Sequence, residues 1–171
     1  MSTTWPAREI TLRKVDELVP YARNSRTHTA EQIAQVAASM REWGWTIPVL
    51  VDEAGTILAG HCRIAAARLL GFSEVPTMTA DGWSDAQKQA YVIADNKLAL
   101  NAGWDADLLR IELGSIATHE FDLTLLGFEE ADLSLAMADP HFEPGEMGEQ
   151  ARLDQKALVT CPDCGHQFEP A

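Results

Sequence analysis

The 171 residues carry 13 Lys/Arg against 26 Asp/Glu, a formal charge of −13, with 46% hydrophobic residues. This excess of acid excludes the long basic track on which a free-standing duplex binder depends, because phosphate neutralisation dominates that affinity. No apolar run approaches the roughly 18 residues of a membrane-spanning helix. The opening "MSTTWPAREITLRK" lacks a secretory core, so a cytoplasmic protein without membrane contact is expected.

In chain order, "ITLRKVDELVPY" starts with strand-like alternation and passes into a polar turn ending at Pro20. Thr29, with Gln32 three residues on, has the form of a capping box. The helix it opens places Ile33, Val36, Ala37 and Met40 on one face and stops at Gly44. "IPVLV" and "TILAG", joined by "DEAG", read as a hairpin with Gly55 in the turn. "CRIAAARLLG" is a helix closed by Gly71, and "EVPTMTA" is a short strand broken by Pro76. Ser84 or Asp85 opens a further helix, either continuous or split in two near Asn96, and "DADLLRIELGSIA" and "TLLGFEEADLSLAM" supply more helix.

These elements predict an α+β fold, a small mixed sheet with packed helices, over residues 8–80. A helical extension follows over 82–137, then a Pro/Gly/acid-rich linker over 138–150. The tail, 151–171, contains Cys161-Pro-Asp-Cys164-Gly165, half of a zinc ribbon, so Cys161 and Cys164 are candidate Zn²⁺ ligands. His166 stands too close to the turn to close the same tetrahedron. His141 or a second copy of the chain would have to complete it, and the alternative is a metal-free remnant. Three cysteines in all argue against a disulfide framework.

Charge divides the chain. Residues 1–71 hold eight Lys/Arg and seven Asp/Glu; residues 72–171 hold five and nineteen. Arg23, Arg26, Arg41, Arg63 and Arg68 all fall in the first part, which suits one local anionic ligand better than a DNA track; scattered surface charge is the alternative. The sharpest local signal is Gly60-His61-Cys62-Arg63, where a strand ends and a helix starts. First-turn N–H groups and the helix dipole make such a mouth an anion site. Arg63 offers a charged fork for phosphate and His61 a donor whose charge is available near neutral pH. The competing reading is a strand-to-helix corner with a solvated Arg.

Residues 11–80 resemble the ParB N-terminal domain of the ParB/sulfiredoxin superfamily. The landmarks stand in that family's order: Asn24-x-Arg26, the helix ending at Gly44, Ile47-Pro48-Val49-Leu50-Val51, Gly60-His61-x-Arg63, Ala66, Leu70-Gly71 and Val75-Pro76. "SDAQKQAYVIADNKLALNAGWD" resembles the phage and prophage form, which often precedes a DNA methyltransferase domain; none follows in this sequence. The resemblance implies nucleotide binding, CTP or ATP with Mg²⁺. It assigns the phosphates to Gly60, His61 and Arg63, and places Asn24 and Arg26 on the loop beside the nucleotide. Asp95, where the family usually has Glu, and Asn96 would serve metal and phosphates. Sulfiredoxins carry Gly-Cys-His-Arg at this turn; here Cys62 stands one position later, about 100° around a helix, so it is expected to be a packed thiol.

The leading expectation is therefore a nucleotide-binding protein of phage or prophage origin in DNA transactions, an adaptor or subunit beside a methyltransferase or other DNA-processing protein, with self-association. A nuclease, nucleotide hydrolase or kinase is the second reading, with His61, Asp95 or Glu31 as base. The third is an interaction module without nucleotide, using the acidic helices. Those helices lack basic recognition residues, so no recognition helix and no sequence-specific operator binding are expected.

Overall fold

The computed structural model describes residues 6–138, 159–160 and 167–168, with backbone only for Val159, Thr160 and Phe168. It divides into one unit ending at Met137 and a second beginning at Ala138.

The first unit is built on a five-stranded mixed sheet. Its strands are β1 (Ile10–Lys14), β2 (Val19–Pro20), β3 (Val49–Val51), β4 (Thr56–Ala59) and β5 (Glu74–Thr79), in the order β1-β5-β3-β4-β2. β5 runs antiparallel to β1 and parallel to β3, β3 and β4 form the predicted antiparallel hairpin, and β2 runs parallel to β4. Two short expectations change. Val19–Pro20, read as turn, is an edge strand, a place where a proline without an N–H is tolerated. Pro76 does not break β5, because the β3 ladder begins only at Val49 opposite Thr77.

Two helices cover the sheet. α1 (Ala30–Trp43) starts at Thr29, whose hydroxyl accepts the Gln32 N–H at 3.2 Å. The predicted box is only half made, since Gln32 Oε1 pairs with His28 Nδ1 at 2.9 Å instead. α2 (His61–Leu70) packs on α1 and buries Ala66 and Ala67 completely in the core that the two helices share with the sheet. With Ala37, Met40 and Ile64 they close a core over Val49, Val51, Ile57 and Val75. Full burial of a side chain such as Ile64 contributes about 1.5–3 kcal/mol. Thr77, the one buried polar residue among the described residues, is satisfied: its hydroxyl donates to the Thr11 carbonyl at 3.0 Å. Arg68 does not join an anion cluster. It lies in the last turn of α2 and donates to the Leu18 and Val15 carbonyls at 3.2 and 3.5 Å.

Three more helices follow: α3 (Asp85–Ala99), α4 (Ala106–Ala117) and α5 (Glu130–Met137), with a 3-10 turn at Leu123–Leu126. α3 is continuous through Asn96 rather than split, and it opens with a complete capping box between Ser84 and Gln87. The extension meets α1 where Trp43 stacks on Phe121, ring centroids 6.1 Å apart. In the second unit, β6 (Val159–Thr160) and β7 (Gln167–Phe168) pair antiparallel. Cys161 and Cys164, the predicted zinc ligands, and His141 lie outside the described residues, as does nearly all of the 138–150 linker.

Candidate functional site

The site forms where β4 ends and α2 begins. Gly60 takes φ +99°, a left-handed conformation that favours glycine, and a Cβ there would meet Arg63 Nη2 and Val49 Cγ2 at 3.2 Å. Gly60 is thus required twice, by its backbone and by the close approach of Arg63. With no side chain to cap the helix, the first-turn N–H groups of α2 face outward at its mouth.

His61 is oriented from forty residues upstream. The Tyr21 N–H donates to His61 Nε2 at 3.3 Å. A backbone amide only donates, so Nε2 is the acceptor and the neutral ring carries its proton on Nδ1. Burial, and then the charge of His28, lowers the pKa of His61. This corrects the expectation of a histidine charged near neutrality: His61 offers a neutral Nδ1–H donor. The same bond fastens the loop that holds Asn24 and Arg26 to the mouth of α2. That loop is an Asx turn, with Asn24 Oδ1 accepting the Arg26 N–H at 3.2 Å and Asn24 Nδ2 donating to the Arg26 carbonyl at 3.1 Å.

Arg63 is half-buried and folded back. Its Nη1 donates to the Ile47 carbonyl and, at 3.4 Å, to that of Pro48. The Ile47 carbonyl also accepts Trp45 Nε1 at 2.8 Å, which fixes the 45–48 loop against the guanidinium. Desolvation lowers the Arg63 pKa while nearby Asp95 acts to raise it. α3 therefore brings an exposed carboxylate into the electrostatic field of the α2 mouth. Asp95 Oδ1 accepts the Tyr91 hydroxyl at 3.4 Å. Asn96 is turned away, its Nδ2 donating to the Val92 carbonyl of its own helix at 2.8 Å. Cys62 behaves as expected of a packed thiol: burial raises its pKa more than Arg63 lowers it, so the helix mouth does not activate it.

Gly60, His61 and Arg63 thus stand together at the α2 mouth, the charge of Asp95 acts on Arg63 from α3, the Asn24–Arg26 turn is tied to the mouth through Tyr21, and the Asn96 side chain is engaged elsewhere. Sequence reasoning missed Tyr21, His28, Tyr91 and the aromatic wall beside Arg63. Trp43, Trp45, Met40, Val36 and Ile47 line a cavity of about 400 Å³ with Arg63 at its edge. The Trp-Gly-Trp spacing around Gly44 was the available signal.

A single carboxylate and the α2 amides fit Mg²⁺ held largely by phosphate oxygens, the usual habit of this ion. Among the described residues, no group of three or more His, Cys, Asp or Glu is placed to hold a metal alone.

Comparison with known proteins bears on both halves. The ParB-methyltransferase HTH domain matches residues 107–162. This overturns the expectation that no recognition element follows residue 84. A helix-turn-helix is defined by its pattern of helices and turn, which an acidic charge balance does not exclude. The ParB-like nuclease domain-containing protein YnaK of Escherichia coli (strain K12) is 49% identical over 81 residues, 47% of this chain and 93% of that protein. The C-terminally truncated chromosome-partitioning protein ParB from Caulobacter crescentus, complexed with CTP-γ-S, shares the fold at TM-score 0.61 and 21% identity, covering 76% of this chain and 77% of that one. The ParB N-terminal domain model matches residues 2–96, and the chain belongs to that family.

Proposed function

We propose that this protein binds a nucleoside triphosphate, CTP or ATP, with Mg²⁺ at the mouth of α2, and that it acts in DNA transactions. One observation carries the reading: three elements distant in sequence converge there, α2 through Gly60 and Arg63, the 21–28 loop through Tyr21 and His61, and α3 through Asp95. The phosphates meet the first-turn amides, the Nδ1–H of His61 and the free edge of the Arg63 guanidinium. Asp95 takes Mg²⁺ together with phosphate oxygens. Asn24 and Arg26 border the phosphates, and Asn96 joins only by leaving the Val92 carbonyl. The aromatic cavity beside Arg63 takes the nucleoside, because its Trp43 and Trp45 walls suit a planar base.

The match of residues 107–162 to an HTH domain supports DNA contact through the extension. Between residues 107 and 138 stand seven acidic residues and one basic residue, Arg110, so that contact draws little on phosphate attraction. In this reading the protein works beside a DNA-processing partner such as a methyltransferase, as a self-associating chain in the cytoplasm of a phage- or prophage-bearing cell. In that division of labour, residues 8–80 bind nucleotide, 82–137 contact DNA or partner, 138–150 link, and the 151–171 tail holds Zn²⁺ through Cys161 and Cys164. The name of the Escherichia coli relative keeps nuclease action as the second reading.

Calorimetric titration of CTP, ATP and GTP with Mg²⁺ into wild type and Arg63→Ala tests the site. One nucleotide should bind to wild type and none to the variant. Equal affinity in both proteins would remove Arg63 and the α2 mouth from the reading.

A further inference from the structure

α3 is weakly held for a helix that brings a carboxylate to a site. Of its 15 residues Val92 is fully buried, packed with Leu58 and Ala80, and Tyr91 is partly buried against the same cluster. Beyond Val92 it presents Ile93 and Leu98 to solvent at 60% and 67% exposure. Its first turns, however, are clasped to the β3–β4 turn. Lys88 Nζ lies 2.8 Å from Glu53 Oε2 and 3.5 Å from Asp52 Oδ2. The other Glu53 oxygen accepts the Gly82 N–H at 2.9 Å, just before the α3 cap. The other Asp52 oxygen accepts the Thr56 N–H at 2.8 Å, so the acidic end of the clasp is fixed to the hairpin that leads into Gly60.

An isolated exposed ion pair does little. Here three charged groups share one network, and the Lys88 and Asp52 side chains are only 16% and 13% exposed. Lys88, Val92 and Asp95 also follow one another at i, i+4 and i+7, which places them on one face of the helix. Val92, the buried residue of the helix, lies between the clasp and Asp95 along that face.

We propose that the Asp52/Glu53–Lys88 clasp is a positioning device that holds α3, and with it Asp95, in place beside the α2 mouth, making Lys88 and Glu53 positioning residues for the Mg²⁺ end of the site. The Mg²⁺ part rests on the functional reading above; the clasp itself does not.

The experiment pairs two measurements on Lys88→Met, Glu53→Gln and Lys88→Arg. Hydrogen exchange without nucleotide should rise about tenfold for the α3 amides from Val92 to Ala99 in the first two variants, with α1 unchanged, as expected for local opening. Titration with the nucleotide that wild type binds should weaken about tenfold with Mg²⁺ and much less without it. Asp95→Asn added to Lys88→Met should then cost less than about twofold more, since coupled residues are not additive. Lys88→Arg should recover most of both effects. Unchanged exchange in both Lys88→Met and Glu53→Gln would overturn the clasp. Full additivity with Asp95→Asn, or equal losses with and without Mg²⁺, would overturn its positioning role. A wild type that binds no nucleotide would overturn the functional reading and with it the Mg²⁺ role, while exchange decides the clasp separately.

Discussion

The sheet with α1 and α2, and the helical extension from α3 to α5, use similar local devices and reach different degrees of burial. Thr29, Ser84 and Asp105 each cap a helix with a side-chain oxygen. On the sheet, those local signals end in a closed core in which Val49, Val51, Ala66, Ala67 and Val75 have no exposure at all. In the extension, Val92 and Leu113 are buried among the described residues, while Trp104 and Leu135 stand 74% and 78% exposed. A cap decides where a helix starts; only a surface to cover decides how firmly it is held. The candidate site straddles this boundary, with Arg63 on the firm side and Asp95 on the loose one.

A loss as large as any should come from Gly60→Ala, on the firm side. A left-handed alanine costs about 1–2 kcal/mol, and crowding Arg63 and Val49 adds about 1–3 kcal/mol. Urea unfolding should show about 2–5 kcal/mol lost; a loss below about 1 kcal/mol would mean that the α2 mouth yields.

Truncating one buried residue on each side sharpens the contrast. Ile64→Ala and Leu113→Ala each remove a buried aliphatic side chain, worth about 2–5 kcal/mol. Ile64→Ala should lower the protection of every β-sheet amide. Leu113→Ala should expose α4 and α5 to exchange and leave β3 to β5 protected. If Leu113→Ala deprotects the sheet equally, the two regions are one cooperative body and the comparison fails.

Ser84→Ala removes the acceptor of the α3 capping box and should cost about 1 kcal/mol, seen as faster exchange in the first turns of α3.

The smallest effect concerns pH. The folded pKa of His61 lies below its ordinary 6.5, so the unfolded chain takes up that proton first. The histidine's contribution is complete above pH 6.5 and is lost as pH falls from there through the folded value. His61→Gln should flatten the stability profile over that acid window, measured by urea midpoints at successive pH values. An unchanged slope would assign the pH dependence to other groups.

Much of the fold was legible because its signals are local. The helix from Ala30, the hairpin around Gly55, the helix closed by Gly71 and the β-type run at 74–79 each depend on residues within one turn of one another. The misreadings at Pro20 and Pro76 share a cause. Whether a proline interrupts a strand depends on which neighbour lies on its N–H side, and the neighbours here are residues far away in the chain. Charge misled the reading of the extension, since a helix-turn-helix domain is recognised by pattern and the stretch that matches one is acidic.

By itself the sequence determined the α+β order, the helix caps and the nucleus of the site at Gly60, His61 and Arg63, because each is written in residues a few positions apart. Tertiary structure alone decided how those residues are used. Tyr21 sets the tautomer of His61, the Ile47 and Pro48 carbonyls occupy one edge of Arg63, and Lys88 with Glu53 ties α3 to the hairpin below the site. Each of these contacts joins groups at least fifteen positions apart, and a hydrogen bond across such a separation exists only once the sheet has brought its ends together.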